Sequence, residues 1–286
     1  MVDALEIKNL SKDYDSFSLK NISFSLPMGY IMGLIGPNGA GKTTTIKLML
    51  NMLKKTSGSI KILGLDSIAD QIEIKESIGA VFDANYFVQD WTVIEVEKYI
   101  GIFYSTWDSS KFKSMIDRFG LKPDKKVKEL SRGMQMKLML SCAFSHDAKL
   151  LILDEPTSGL DPVARDELLD ILLEFISDGQ RSVLFSTHIT SDLDKIADYI
   201  TFINNGAMVY TGTKDEFVDG FRIVKGGKND ITAEHEKKII GIRKYSEGFE
   251  GLIKTSDLRL FSHLVCEAVS IDEIIVFTSK GGNINE

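Results

Sequence analysis

Residues 36–43 read Gly36-Pro37-Asn38-Gly39-Ala40-Gly41-Lys42-Thr43, which satisfies GxxxxGK[ST] in full. These residue types at this spacing suit the capture of phosphate. Glycines let the backbone curl so that successive N–H groups point inward at phosphate oxygens. A helix starting near Lys42 turns the positive end of its dipole on the same oxygens. Lys42 adds a point charge at the β- and γ-phosphates of a nucleoside triphosphate, and the Thr43 hydroxyl is a ligand for Mg²⁺.

A second group lies more than a hundred residues on. Leu150-Leu151-Ile152-Leu153-Asp154-Glu155 is an apolar run that ends in two carboxylates. Ligands of open α/β sheets bind at the carboxyl ends of the strands, so this run delivers acids to a site. Taken alone it is an ordinary strand running out into an acidic loop. With a phosphate loop upstream, Asp154 is placed to hold Mg²⁺ through water, and Glu155 to orient an attacking water and take its proton.

The elements that must position these groups follow from periodicity. Apolar and polar residues alternate over 2–10 and 19–26, as in edge strands, and 30–35 is a continuous apolar run that reads as a buried strand. Residues 42–53 have helical periodicity; 59–63 and 77–82 are short strands. From about residue 85 to 147 the pattern is helical, with helices expected over 95–104, 110–119 and 133–144. Strands over 150–153, 182–186 and 199–203 then alternate with helices over 163–177 and 191–197. Asn204-Asn205-Gly206 turns the chain into a last strand at 208–210. This implies an α/β fold: a mixed, mainly parallel sheet flanked by helices, with an antiparallel β edge and an inserted helical subdomain. Beyond residue 213 the pattern changes to short strands at 221–224, 239–243 and 264–269 joined by polar stretches, a small α+β extension.

Bulk properties narrow the function classes. The 286 residues suit one main domain plus an appendage, and 43% hydrophobic residues supply a sizeable core. The net charge of −7 argues against nucleic acid as a partner, because phosphate backbones demand a basic face. Cys142 and Cys266 lack CxxC spacing and read as reduced thiols, and the four histidines show no metal-ligand spacing. The opening MVDALEIKNL has no basic start followed by an apolar run, so no signal peptide is expected. No stretch approaches the ~18 uncharged apolar residues that cross a bilayer.

Given the phosphate loop and the Asp154-Glu155 pair, the chain resembles the nucleotide-binding subunits of ABC transporters over about residues 1–215. Leu130-Ser131-Arg132-Gly133-Met134-Gln135 is similar to the family signature LSGGQ, Ser158-Gly159-Leu160-Asp161 to its D-loop, and Phe185-Ser186-Thr187-His188 to the segment carrying its switch histidine. The resemblance implies ATP and Mg²⁺ as cofactors, held by residues 36–44, including Thr44. It implies an adenine-stacking aromatic at Tyr14, with Phe17 as the competing candidate. It gives Glu155, His188 and Lys42 catalytic roles and places Thr43, Asp83 and Asp154 around the metal. Ser131, Gly133 and Asp161 belong, on the same resemblance, to contacts made across a head-to-tail dimer.

Departures from the family pattern carry their own expectations. Asp83 stands where the family usually has Gln, shorter and more negative. Arg132 replaces Gly and Met134 replaces Gln in the signature; Arg132 either adds charge near the nucleotide or points into solvent. These departures, with Ile240-Gly241-Ile242-Arg243, Glu247-Gly248-Phe249-Glu250-Gly251-Leu252 and Ser270-Ile271-Asp272-Glu273-Ile274, resemble the subgroup paired with ABC-2-type exporters of peptide antibiotics, lantibiotics and amphipathic peptides. The resemblance thus implies an ATP-binding domain over 1–215, with the helical subdomain at about 85–147, and an extension over 216–286. It also implies a homodimer or heterodimer of ATP-binding subunits, transmembrane permease partners, and a place at the cytoplasmic face of the membrane. A membrane partner is expected to dock around residues 82–91, where Tyr86, Phe87 and Trp91 supply aromatic area. An importer subunit and a soluble ABC ATPase are the competing readings.

Overall fold

A computed structural model describes residues 3–281. Strand β1 (Asp3–Asp13) and strand β2 (Ser18–Pro27) form an antiparallel hairpin whose alternating residues, among them Leu5, Ile7, Ile22, Phe24 and Leu26, are buried. Val2, expected to open β1, lies outside the described residues. Strand β3 (Ile31–Ile35) is buried throughout and runs into the phosphate loop, after which α1 (Lys42–Met49) begins. This helix stops short of residue 53 because Asn51 turns to φ 55° and the Met52 N–H bonds back to the Lys47 carbonyl at 2.9 Å.

The chain continues through β4 (Ser57–Ile62), β5 (Leu65–Asp66), α2 (Gln71–Ser77) and β6 (Ile78–Val81). Helix α2 was not evident from the sequence pattern: it is a single short amphipathic piece with one buried residue, Ile74. Three helices then leave the sheet. Helix α3 (Val93–Gly101) starts at a capping box in which Thr92 and Glu95 exchange hydrogen bonds. Asp108 caps α4 (Ser109–Arg118), and Ser131 caps α5 (Arg132–Phe144). The chain returns with β7 (Leu150–Asp154), α6 (Pro162–Ile176), β8 (Ser182–Ser186), α7 (Thr190–Ile196), β9 (Tyr199–Asn204) and β10 (Ala207–Thr213).

The main sheet has ten strands in the order β5-β4-β1-β2-β10-β9-β3-β8-β7-β6. The half from β9 to β6 is parallel, and β5-β4-β1-β2 is an antiparallel edge. Buried strands send successive side chains to opposite faces. On β7, Leu150 and Ile152 join the cluster of α1 and the hairpin, whereas Leu151 and Leu153 join the cluster of α5 and α6.

After α8 (Lys214–Asp219) come β11 (Phe221–Gly227), α9 (Ala233–Lys238), β12 (Ile240–Lys244), β13 (Gly248–Lys254), β14 (Val265–Glu267) and α10 (Ile271–Gly281). The four strands make a second sheet, β12-β13-β11-β14. The sequence pattern anticipates three of its strands. It hides β13, whose GFEGLIK run contains two glycines and a glutamate. Helix α10 is announced only by Ser270 and Glu273, which exchange cap hydrogen bonds at 2.8–3.3 Å.

Phe217 of α8 joins the two sheets. It is fully buried, with ring centroids 6.2 Å from Phe202, 4.7 Å from Tyr210 and 5.9 Å from Phe221. Phe221, Leu252, Ile274 and Phe277 belong to the same apolar cluster as the main sheet. Phe217→Ala is therefore expected to cost about 3–5 kcal/mol in denaturant unfolding and to loosen both sheets together. Unfolding of the second sheet alone, ahead of the first, would show that the cluster is not shared.

Candidate functional site

The phosphate loop is shaped by backbone that only glycine accepts easily. Gly36 has φ 151°, and a Cβ there would meet the Ile203 carbonyl oxygen at 2.0 Å. Gly41, at φ 113°, is the N-cap of α1 and offers that helix no side-chain cap. The first amides of α1 thus keep their donors free for an anion. Lys42 is buried; its ammonium donates to the Gly36 carbonyl at 2.8 Å and the Pro37 carbonyl at 3.3 Å. Burial pushes its pKa below the usual lysine range, opposed by the negative charges of Glu155 and Asp154.

The parallel register pairs Asp154 of β7 with Ser186 of β8 and brings both to the same edge as the loop. Asp154 is 3% exposed. Its Oδ1 accepts from Ser186 Oγ at 2.6 Å and from Thr43 Oγ1 at 3.2 Å. Glu155 leaves the strand at φ 52°, a left-handed conformation rare outside glycine. Its N–H donates to Ser186 Oγ at 3.0 Å. That turn aims the carboxylate back over the loop: Oε1 lies 3.9 Å from Lys42 Nζ, and Oε2 accepts from His188 Nδ1 at 2.7 Å and from the His188 N–H at 3.3 Å. An ionised carboxylate only accepts, so Nδ1 carries the proton of this hydrogen bond.

A cavity of about 290 Å³ lies over this arrangement, lined by residues 38–44 with Phe17, Asp83 and Glu155. Phe17, not Tyr14, holds the aromatic place beside the loop: a Cβ on Gly41 would be 3.2 Å from its ring. Tyr14 is 41% exposed, and its ring packs under Lys12 Nζ at 5.1 Å. The two sit in one tight turn, where the Tyr14 N–H bonds to the Phe17 carbonyl at 2.8 Å and the ring centroids lie 6.4 Å apart.

Ser131 and Gly133 lie beside the D-loop rather than in that cavity lining. Ser131 Oγ accepts from the Met134 N–H at 3.3 Å as the cap of α5. A Cβ on Gly133 would be 3.1 Å from the Gly159 carbonyl oxygen. Asp161 caps α6, accepting from the Val163 and Ala164 amides at 3.0 Å. Asp83 lines the cavity with one carboxylate oxygen engaged by Arg132, which is therefore not simply directed into solvent.

Two supports escaped the sequence reading. Ser186 bonds both Asp154 and the Glu155 amide; its only signal was its place at the end of an apolar strand before His188. Asp192 is fully buried, accepting from Thr157 Oγ1 at 2.8 Å and from Arg165 at 2.5 Å, and so ties the loop after Glu155 to α6 and α7.

A second concavity, of about 430 Å³, runs between α1, α2 and β6 on one side and the end of α3 on the other. Its apolar lining includes Leu50, Met52, Ile72, Phe82 and Phe103, with Ile72 80% and Phe103 70% exposed. Expected docking aromatics are only partly here. Tyr86 is exposed and packs edge-on against Phe82 at 5.5 Å, but Phe87 and Trp91 pack against the core. Helix α3 draws Trp91 inward, onto Tyr99 at 4.6 Å. Among the described residues no helix is long and apolar enough to cross a membrane.

The chain is similar to known proteins in sequence and in fold. Residues 19–158 match the family model described as ABC transporter. The lantibiotic transport ATP-binding protein SrtF of Streptococcus pyogenes is 34% identical over 208 residues, spanning 72% of this chain and 89% of that protein. The Nod factor export ATP-binding protein I of Sinorhizobium fredii is 33% identical over 223 residues, 76% of this chain and 64% of that one. A solved structure of an ATP-binding subunit of an ABC transporter superposes with a TM-score of 0.68 at 28% identity, covering 74% of this chain and 91% of its own. With the loop of residues 36–43, the Asp154-Glu155 pair and His188 gathered on one sheet edge, the chain belongs to the ATP-binding proteins of ABC transporters, a family of ATPases.

Proposed function

We propose that this subunit binds ATP over residues 36–44, hydrolyses it with Glu155 as general base, and powers export through separate transmembrane subunits. The observation that carries the reading is the convergence of Lys42, Glu155 and His188 on one loop. Two of the three Lys42 ammonium protons go to carbonyls, which leaves one for a phosphate oxygen. Glu155 takes the proton of a water in line with the γ-phosphate. His188, fixed by its Nδ1 proton on Glu155, turns Nε2 toward that phosphate. Phe17, or Tyr14 after movement of their shared turn, stacks on the base.

Thr43 Oγ1 and Asp154 Oδ1 are hard oxygen donors within 3.2 Å, a set that suits Mg²⁺, with Asp83 facing the same cavity. When bound, the ion would neutralise charge on the phosphates. Ser131 and Gly133 serve the site of a second ATP-binding subunit, identical or related, with Asp161 at the junction. ATP closes that dimer and hydrolysis opens it. On this reading residues 1–215 are the ATP-binding domain, with 85–147 as its helical insert, and 216–286 are an extension packed on it. The groove of Ile72, Phe82 and Phe103 receives a short helix of the membrane partner, which holds the chain at the cytoplasmic face. Similarity to a lantibiotic transport protein and a Nod factor export protein supports export of peptides or other amphipathic compounds.

Glu155→Gln is expected to keep ATP binding while lowering hydrolysis by at least about 100-fold, and Lys42→Ala to lose ATP binding. ATPase rate and equilibrium binding, measured against protein concentration, check both. Normal hydrolysis by Glu155→Gln would remove the general base assigned here.

Ile72→Glu with Phe103→Glu places charge in the groove and should reduce recovery of the membrane subunit in affinity purification by about tenfold or more. Unchanged recovery would move the docking site elsewhere. In inside-out vesicles carrying the whole transporter, external ATP should drive accumulation of a labelled lantibiotic-type peptide. ATP-driven loss from preloaded vesicles would reverse the direction.

A further inference from the structure

Arg132 is the first residue of α5, directly after the Ser131 cap. Its stem lies over Gly159, where a Cβ would be 3.5 Å from Arg132 Cδ. Its guanidinium donates to the Asp83 carboxylate and, at 3.4 Å, to Ser158 Oγ. One side chain thus ties three segments: the start of α5, the D-loop and the stretch that leaves β6. Asp83 is itself shared, because it lines the phosphate cavity and follows Phe82, which lines the apolar groove.

The charges explain why the two departures occur together. A carboxylate at position 83 stands beside a site for a polyanion, where it would be repulsive without a counter-charge. A guanidinium at position 132 supplies that charge, and its planar fork suits a carboxylate. With an uncharged side chain at either position a hydrogen bond could form but the ion pair could not.

The geometry points to Arg132 and Asp83 as a pair of positioning residues that clamps the start of α5, and with it Ser131 and Gly133, against the D-loop. The clamp rests on the ATPase reading given above, since its purpose is to hold the signature residues in register for the partner site. It also gives the apolar groove a short covalent and electrostatic path to that register: Phe82, Asp83, Arg132, Ser131.

The test is a double-mutant cycle in the full chain with Asp83→Asn, Arg132→Gln and both. Each single change should lower kcat for ATP hydrolysis about threefold to tenfold; KM for ATP should stay within about twofold for Asp83→Asn and the double variant and rise for Arg132→Gln, which leaves the Asp83 charge uncompensated beside the phosphates. The double variant should be no worse than either single one, because both remove the same contact. Arg132→Lys, which keeps charge without the fork, should recover part of the loss. Hydrogen exchange of the nucleotide-free protein provides a second readout, independent of activity. Amides at 133–136 and 158–160 should exchange faster in all three neutral variants. Losses that multiply in the double variant, or exchange unchanged in all three, would overturn the clamp. A starting protein that binds no ATP would overturn the ATPase reading instead, while the exchange pattern still decides the clamp.

Discussion

Asp154 is a nearly fully buried carboxylate, and such a group is costly to bury unless hydrogen bonds replace its lost water. Here the replacements come from Ser186 and Thr43, which belong to two other segments of the chain. The constraint propagates outward. Ser186 must end β8 level with Asp154, which fixes the β7–β8 register. Thr43 must sit in the first turn of α1, which fixes the phosphate loop against β7. Because Ser186 Oγ also receives the Glu155 amide, the chain can turn left-handed at Glu155 with its N–H satisfied. The strain of that turn, of order 1–3 kcal/mol, directs the Glu155 carboxylate at the site.

The same logic explains why the site's charges coexist. Lys42, Glu155 and Asp154 form a compact group in which burial weakens the lysine's hold on its proton and the carboxylates strengthen it. His188 fastens the outer oxygen of Glu155, leaving the inner one facing Lys42. Asp192, joined to Thr157 and Arg165, braces the loop from behind, so the geometry of Glu155 is held at both ends of its segment. Around position 83 the balance is struck with Arg132, a partner forty-nine residues away in sequence.

What the sequence by itself determined was local. The glycine, lysine and threonine spacing of 36–43 and the apolar strand into Asp154 rest on patterns within a few residues, so their order along the chain is enough to read them. The parallel half of the main sheet followed as well, since its strands alternate with amphipathic helices. The tertiary structure decided the rest. It set Phe17 rather than Tyr14 in the lining beside the loop, packed Phe87 and Trp91 half-buried against the core, and opened a groove from Met52, Ile72 and Phe103, which are far apart in sequence. It paired Asp83 with Arg132 and set Ser186 between two acids. It also completed the second sheet with β13, whose glycines and glutamate obscure its alternation but whose backbone pairs on both edges. Those outcomes depend on which surfaces meet when distant segments pack, and no short-range pattern encodes that meeting.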